Sequence, residues 1–414
     1  MLLSRSWNDS FQAKHRIANG PLTEFAQSHF KKVSYHPYIL REAIMMRGKF
    51  VLAAGLLLFA GAATSVMAQS DSTEIPRPTG EFGVGTVVWD WADAKRHDEL
   101  TADPEDVREV MAQAWYPADT QAAAATHVYA PLDKDENTAG WSQPSVPFTS
   151  QVRKAPLIVI CPGSRTARYY YTSVAEDLAS HGYIALVLDS PHIGSTLYPD
   201  GRYFPPIFIP TPEMVNGPSY EPIDQFLELP GVLGAGDVMF ALDQLKKVTD
   251  NDPAQRLTGK IDWHRLGAYG HSLGARTCGG AVMTDPRFAA FAMVEGAVSK
   301  DDRVRGLKTP FLIVLGPYLP VGPRQTILDS LPSRRAEAYL LNWSQFRHNN
   351  LNDLGIIYPQ SFPSVTDPAM LMEQGRVILR TFFDQYVRGT GASTLSLNQP
   401  PGITVQSYPK PNGN

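Results

Sequence analysis

Only two cysteines occur in the 414 residues of this chain, too few for a framework of disulfide bridges. Cys161 ends an apolar segment and Cys278 falls on a stretch of helical character, so both read as buried free thiols rather than a bridged pair. No Cys/His spacing suits a structural metal, and no metal or organic cofactor is expected. Charge is scarce as well: charged residues make up 19% of the chain, the formal net charge is −4, and 43% of residues are hydrophobic. That balance excludes a disordered chain and a nucleic-acid-binding one, and suits a globular protein with a large core.

The N-terminal apolar stretch, Phe50 to Ala63, is about 14 residues long, short of the ~20 that span a bilayer. Arg47 and Lys49 precede it and Val66-Met67-Ala68 follows, with small residues placed for cleavage before Gln69. Residues 46–68 therefore have the three-part layout of a secretory signal peptide, which implies a periplasmic or secreted product. The alternative is an uncleaved anchor. No cysteine sits at the cleavage point, which argues against a lipid-anchored form. Residues 1–45 lack periodicity and precede this signal, so translation is expected to start at Met45 or Met46.

A linker (69–79) leads into a domain expected over 80–389, with a tail, 390–414, expected to drape loosely. Val84 to Trp91 and Val107 to Tyr116 have the β-branched and aromatic content of an antiparallel strand pair. Strands and helices then alternate. Strands are expected at Leu157 to Cys161, Tyr183 to Asp189, Arg265 to Tyr269, Phe288 to Val294, Phe311 to Leu315 and, last, Glu337 to Leu341. Helices are expected at Thr172 to His181, Ala235 to Val248 and Met370 to Val387, with one more directly after residue 272. Continuous apolar runs separated by helices indicate an α/β fold whose mostly parallel sheet is covered on both faces. One long interruption, 190–230, is rich in Pro, Tyr, Phe and Ile. A loop of that length reads as a lid-like insertion or as a packed Ω-loop without ligand contact.

Chemistry concentrates at Gly270-His271-Ser272-Leu273-Gly274, where an apolar strand meets a helix. A G-x-S-x-G in that context lifts the serine hydroxyl above the sheet, and the bland alternative is an ordinary glycine-rich βα turn. A nucleophilic serine needs a base, an acid to orient it and donors for an oxyanion. His348 lies in a polar loop after the last expected strand, the character a mobile general base requires. The acid is less direct, because no carboxylate follows Phe311 to Leu315 until Asp329. Glu295, at the end of the preceding strand, is the first choice, with Asp329 and Asp301 behind it. The oxyanion donors are expected to be the N–H of Leu273 and that of Ser164, since Pro162 has none; Gly163 alternatively serves only the turn.

Several segments together give the chain a family likeness. They are Arg77-Pro78-Thr79-Gly80, Val110-Met111-Ala112-Gln113-Ala114-Trp115-Tyr116-Pro117, Asp177-Leu178-Ala179-Ser180-His181-Gly182-Tyr183, Gly270 to Ala275 and Asp285-Pro286-Arg287-Phe288. From about Arg77 to Gly389 the chain resembles the platelet-activating factor acetylhydrolase-like (plasma, or isoform II) branch of the α/β-hydrolase superfamily. The resemblance implies a secreted serine esterase with a Ser272-His348-Glu295 triad, acting on a small-molecule or lipid ester and touching lipid surfaces only transiently. It departs from the family at Glu295, where Asp is usual, and at Pro162-Gly163, where His-Gly is usual. The alternatives are a lipase or a polyester or aromatic-diester hydrolase, and, from another class, a catalytically silent binding protein.

Overall fold

The computed structural model describes residues 75–119, 127–128, 139–217, 219–252, 254, 256–364, 366–390, 395 and 399–411. The signal-like segment 46–68, the extension 1–45 and the start of the linker lie outside the described residues. The chain divides into two units, Met1–Asp71 with Glu99–Asp106, and Ser72–Asp98 with Val107–Asn414. Of the first, only Glu99–Asp106 is described, as turns and bends; the described strands and helices all belong to the second. Among the described residues no helix is long and apolar enough to cross a membrane.

Ten strands form one sheet: β1 (Gly83–His97), β2 (Val107–Ala118), β3 (Gln143–Pro144), β4 (Ala155–Cys161), β5 (Ile184–Asp189), β6 (Ile261–His271), β7 (Phe288–Val294), β8 (Phe311–Leu315), β9 (Ala338–Trp343) and β10 (Ile403–Tyr408). Their spatial order is β10-β9-β8-β7-β6-β4-β5-β2-β1-β3. From β9 to β5 every neighbouring pair is parallel, while β1, β2 and β10 join antiparallel. The order reverses around β4 and β5, and the loop after β4 opens at that reversal, where open α/β sheets place their ligands.

The expected strands are present, the first pair antiparallel as expected, and β10 is an addition. Residues 403–408 pair with β9 from Ala338↔Tyr408 to Trp343↔Ile403. The stretch expected to drape loosely thus closes one edge of the sheet, with Ile403 buried beneath it.

Alternation along each buried strand serves two cores. Ile158 and Ile160 of β4 join Tyr269, Val294 and Leu341 on one face, beneath α1 (Thr172–Ser180) and a C-terminal helix (Pro368–Phe383). Leu157, Val159 and Cys161 join Ala268, Phe291 and Ile313 on the other, beneath Val238 and Leu242 of a long helix (Glu228–Asp250) and Ala281 of the helix that follows Ser272 (Leu273–Thr284). The long helix starts earlier than the expected Ala235, and the glycines of its added turns pack against the neighbouring helix. A Cβ at Gly231 would meet the Arg276 side chain, and one at Gly234 would meet Thr277.

Cys161 and Cys278 are joined by a disulfide across 117 residues, with Cα atoms 6.0 Å apart. This corrects the expectation of free thiols. The Leu273–Thr284 helix runs back over the end of β4 and brings Cys278 onto Cys161, a proximity that belongs to the fold and not to the spacing in sequence. The bridge fastens the strand before Gly163 to the helix after Ser272.

A buried ion network closes the β1–β2 end of the sheet. Arg108, 1% exposed, donates to Asp237 at 2.7 Å, to Asp98 at 3.2 Å and to the Pro191 carbonyl at 3.0 Å. Removing one partner of such a network strands a charge in the interior. Asp237→Ala is expected to cost about 3–5 kcal/mol, seen as a lower urea midpoint at unchanged slope. A second buried acid, Glu176, accepts from the N–H groups of Trp141 and Ser142 at 2.8 and 2.7 Å. Burial lifts its carboxyl from the ordinary 4.5 to about 7. The folded state therefore holds a proton that the unfolded chain has released, so this contribution is full below 4.5 and is lost as pH rises through about 7. Glu176→Gln, which stays neutral, should flatten the fall in melting temperature between pH 5 and pH 8; an unchanged fall would exclude this group as its source.

Candidate active site

β6 turns into the Leu273–Thr284 helix through one residue. Ser272 has φ 55° and ψ −121°, a conformation that costs a side-chain-bearing residue about 1–3 kcal/mol. Its N–H donates to the Val294 carbonyl at 2.9 Å, and its own carbonyl accepts from Ala275 N–H at 3.0 Å. The flanking glycines are steric necessities. A Cβ at Gly274 would collide with the Cys161 carbonyl, and one at Gly270 would lie 2.5 Å from the Ala275 Cα. The Leu273 N–H opens the helix, among the donors with no carbonyl a turn earlier.

Register brings the acid alongside. His271 pairs with Val294, so Ser272 and Glu295 are the next residues on adjacent strands, and Glu295 also has positive φ, 44°. Its Oε2 lies 2.8 Å from His348 Nδ1, and its Oε1 accepts from Gly316 N–H at 2.8 Å. A carboxylate can only accept, which puts the imidazole proton on Nδ1 and leaves Nε2 free as a base. The Glu295 side chain is 2% exposed and that of His348 is 44% exposed. Among the described residues the Ser272 hydroxyl has no hydrogen-bond partner, and its bond to His348 is not closed, as is common in unliganded sites. The lesser candidates lie elsewhere: Asp329 bonds Gln325, and Asp301 faces Arg305 on the surface.

The loop that carries His348 is expected to be mobile on its polar sequence, yet its backbone is anchored. Tyr269 Oη donates to Leu351 O at 2.8 Å, Arg347 N–H to Asn350 Oδ1 at 2.6 Å and Asp353 N–H to Tyr170 O at 2.7 Å. His271 Nε2 lies 2.7 Å from the His348 carbonyl.

The loop after β4, expected to supply an oxyanion donor, lies against Ser272. A Cβ at Gly163 would sit 3.3 Å from Ser272 Cβ and 3.1 Å from His271 Nδ1. The Gly163 N–H is engaged with Tyr171 Oη at 2.9 Å, whereas that of Ser164 has no hydrogen-bond partner among the described residues. The insertion 190–230 rests on this loop: Ser195 N–H donates to Thr166 O at 3.2 Å and Ser164 Oγ to Phe208 O at 3.2 Å. It contains a short hairpin and two short helices, and its half-buried Phe208 and Phe226 rings meet edge-on at 6.0 Å. A surface cavity of about 640 Å³, lined by Tyr220 and Asp224 of the insertion together with Arg303 and Gln325, includes none of Ser164, Ser272, Glu295 and His348.

Sequence reasoning passed over Thr166, Tyr171 and His271, whose polar groups join the oxyanion loop to the histidine loop. The signal was a run of three tyrosines just after the oxyanion loop and a histidine inside the elbow itself.

The strand order and the strand–turn–helix at Ser272 are those of the α/β-hydrolase fold. No family model matches the chain. Over 204 residues, 48% of its length, it is 22% identical to a probable 1-alkyl-2-acetylglycerophosphocholine esterase of Arthroderma benhamiae, and the match spans 40% of that protein. The fold is similar to that of a ferulic acid esterase from Streptomyces cinnamoneus, with TM-score 0.65 and 21% identity over 81% of this chain and 99% of that one.

If Glu295 sets the histidine tautomer, Glu295→Gln should lower kcat by roughly 10⁴-fold with little change in KM. Glu295→Asp, one methylene shorter, should fall between Gln and the parent enzyme. Parent-like kcat in the Gln variant would remove Glu295 from the triad.

Proposed function

We propose that this chain is a serine hydrolase of carboxylic esters, with Ser272 as nucleophile, His348 as general base and acid, and Glu295 as its partner. The observation that carries the reading is the 2.8 Å contact between His348 Nδ1 and the buried Glu295 carboxylate, on the strand next to a strained Ser272. His348 Nε2 takes the Ser272 proton as Oγ attacks the ester carbonyl. The N–H groups of Leu273 and Ser164 receive the oxyanion. The alcohol leaves with the proton from Nε2, and water, activated by the same nitrogen, then releases the acid and restores Ser272.

The likeness to an acetylglycerophosphocholine esterase supports short acyl esters of phospholipid type as the first substrate class. A second class, lipid or aromatic diesters including polyesters, is favoured by the Phe208–Phe226 pair, which adjoins Ser164 through its contact with Phe208 O. Export fits this reading: the signal-like segment 46–68 supplies the route, and a disulfide persists in an oxidising compartment.

Ser272→Ala should lower kcat/KM by at least ~10⁴-fold and abolish labelling by a fluorophosphonate probe. Activity or labelling at the parent level would overturn the assignment, and an unlabelled, inactive parent protein would favour the silent binding protein. A panel of p-nitrophenyl esters graded by acyl length, with a short-acyl phospholipid and an aromatic diester, then separates the two classes by kcat/KM.

A further inference from the structure

We propose that Tyr171 and His271 are positioning residues that set the oxyanion loop and the general-base loop against each other through one chain of hydrogen bonds. The inference rests on the Ser272-His348-Glu295 reading and deepens it.

The direction of each bond follows from elementary valence. His271 is 1% exposed. Burial, first, and then the nearby His348 ring hold its pKa well below the ordinary 6.5, so the ring is neutral and carries one N–H. Its Nε2 faces the His348 carbonyl at 2.7 Å. A carbonyl can only accept, so the proton sits on Nε2. Nδ1 must then accept, and Tyr171 Oη is 2.8 Å away to donate to it. With its proton committed there, Tyr171 Oη receives the Gly163 N–H at 2.9 Å and lies 3.0 Å from Thr166 Oγ1. The chain therefore runs from the Gly163 amide, through Tyr171 and His271, to the backbone of the residue that carries the catalytic base.

At the oxyanion end the loop is clamped twice. Besides the Gly163 N–H, the Gly163 carbonyl accepts from Thr166 N–H at 3.1 Å and from Thr166 Oγ1 at 2.9 Å. A trans peptide points its carbonyl and the following N–H in opposite directions. Holding the Gly163 carbonyl on Thr166 therefore turns the Ser164 N–H away from that clamp and keeps it free for a ligand. At the other end, the bond to the His348 carbonyl fixes where the imidazole stands over the elbow, and the His271 and His348 rings lie 4.7 Å apart. A donor and a base set in one frame keep their separation, and a slip of about 1 Å between such groups costs on the order of 100-fold in rate.

The test uses Tyr171→Phe, which removes one hydroxyl, and Thr166→Val, which removes another at nearly constant volume. Each is assayed for kcat and KM on a short-chain p-nitrophenyl ester, for inhibition by butylboronic acid, whose tetrahedral serine adduct occupies the oxyanion site, and for melting temperature. Tyr171→Phe should lower kcat by roughly 10–100-fold, leave KM within about two-fold, and weaken butylboronic acid by the same factor as kcat. Thr166→Val should follow the same split with a smaller loss, and it carries the comparison if Tyr171→Phe does not fold. His271→Gln, which keeps one acceptor and one donor, should retain more kcat than His271→Phe. The proposal is overturned if Thr166→Val and any folded Tyr171→Phe keep kcat and boronate inhibition within about two-fold, or if lost rate appears in KM alone. In that event an inactive Ser272→Ala would leave the triad reading standing, whereas an active one would remove the triad first.

Discussion

Everything at this site hangs on a single-residue turn from a parallel strand into a helix. At Ser272 the backbone is forced to positive φ, and the surroundings must hold it there at a cost of about 1–3 kcal/mol. They do so from several sides. β4 and β7 pair with β6 on either edge, the Ser272 N–H is spent on the Val294 carbonyl, and the helix behind it is bridged to β4 by Cys161–Cys278. The helix approaches so closely that Gly274 has room for no side chain. Strain at Ser272 and rigidity of the scaffold are thus one property.

That constraint also explains why so much was legible. Parallel strands buried on both faces read as unbroken apolar runs, and the elbow announces itself by glycines that sterics demand. The order of Ser272, Glu295 and His348 along the chain is that of the strands that carry them. What escaped depends on proximity across the fold. Cys161 and Cys278 look like unrelated thiols until the helix folds back over β4. β10 is a short alternation, Ile403 and Val405 against Thr404 and Gln406, hidden in a Pro- and Gly-rich tail, and only pairing with β9 gives it meaning. The helix from Glu228 was expected only from Ala235, and its earlier turns carry Gly231 and Gly234, the points where Arg276 and Thr277 pack. Tyr171 and His271 were invisible for a subtler reason. Their role lies in the direction of two protons, and that direction is set by burial and by a carbonyl supplied from residue 348.

The position of Glu295 follows from the sheet as well. The C-terminal end of β8 carries no carboxylate, and Gly316 stands there. The space is not idle. A Cβ at Gly316 would lie 3.0 Å from Glu295 Oε1 and would collide with the Phe346 carbonyl, so the glycine makes room for the acid of the neighbouring strand. Its N–H then donates to that acid. Glu295 reaches sideways from β7 across roughly one inter-strand spacing of ~4.8 Å, toward the end of β8, with one oxygen on Gly316 and the other on His348. Glutamate at the end of β7 and glycine at the end of β8 therefore fit together: the Glu295 carboxylate lies toward β8, where the histidine loop arriving from β9 meets it.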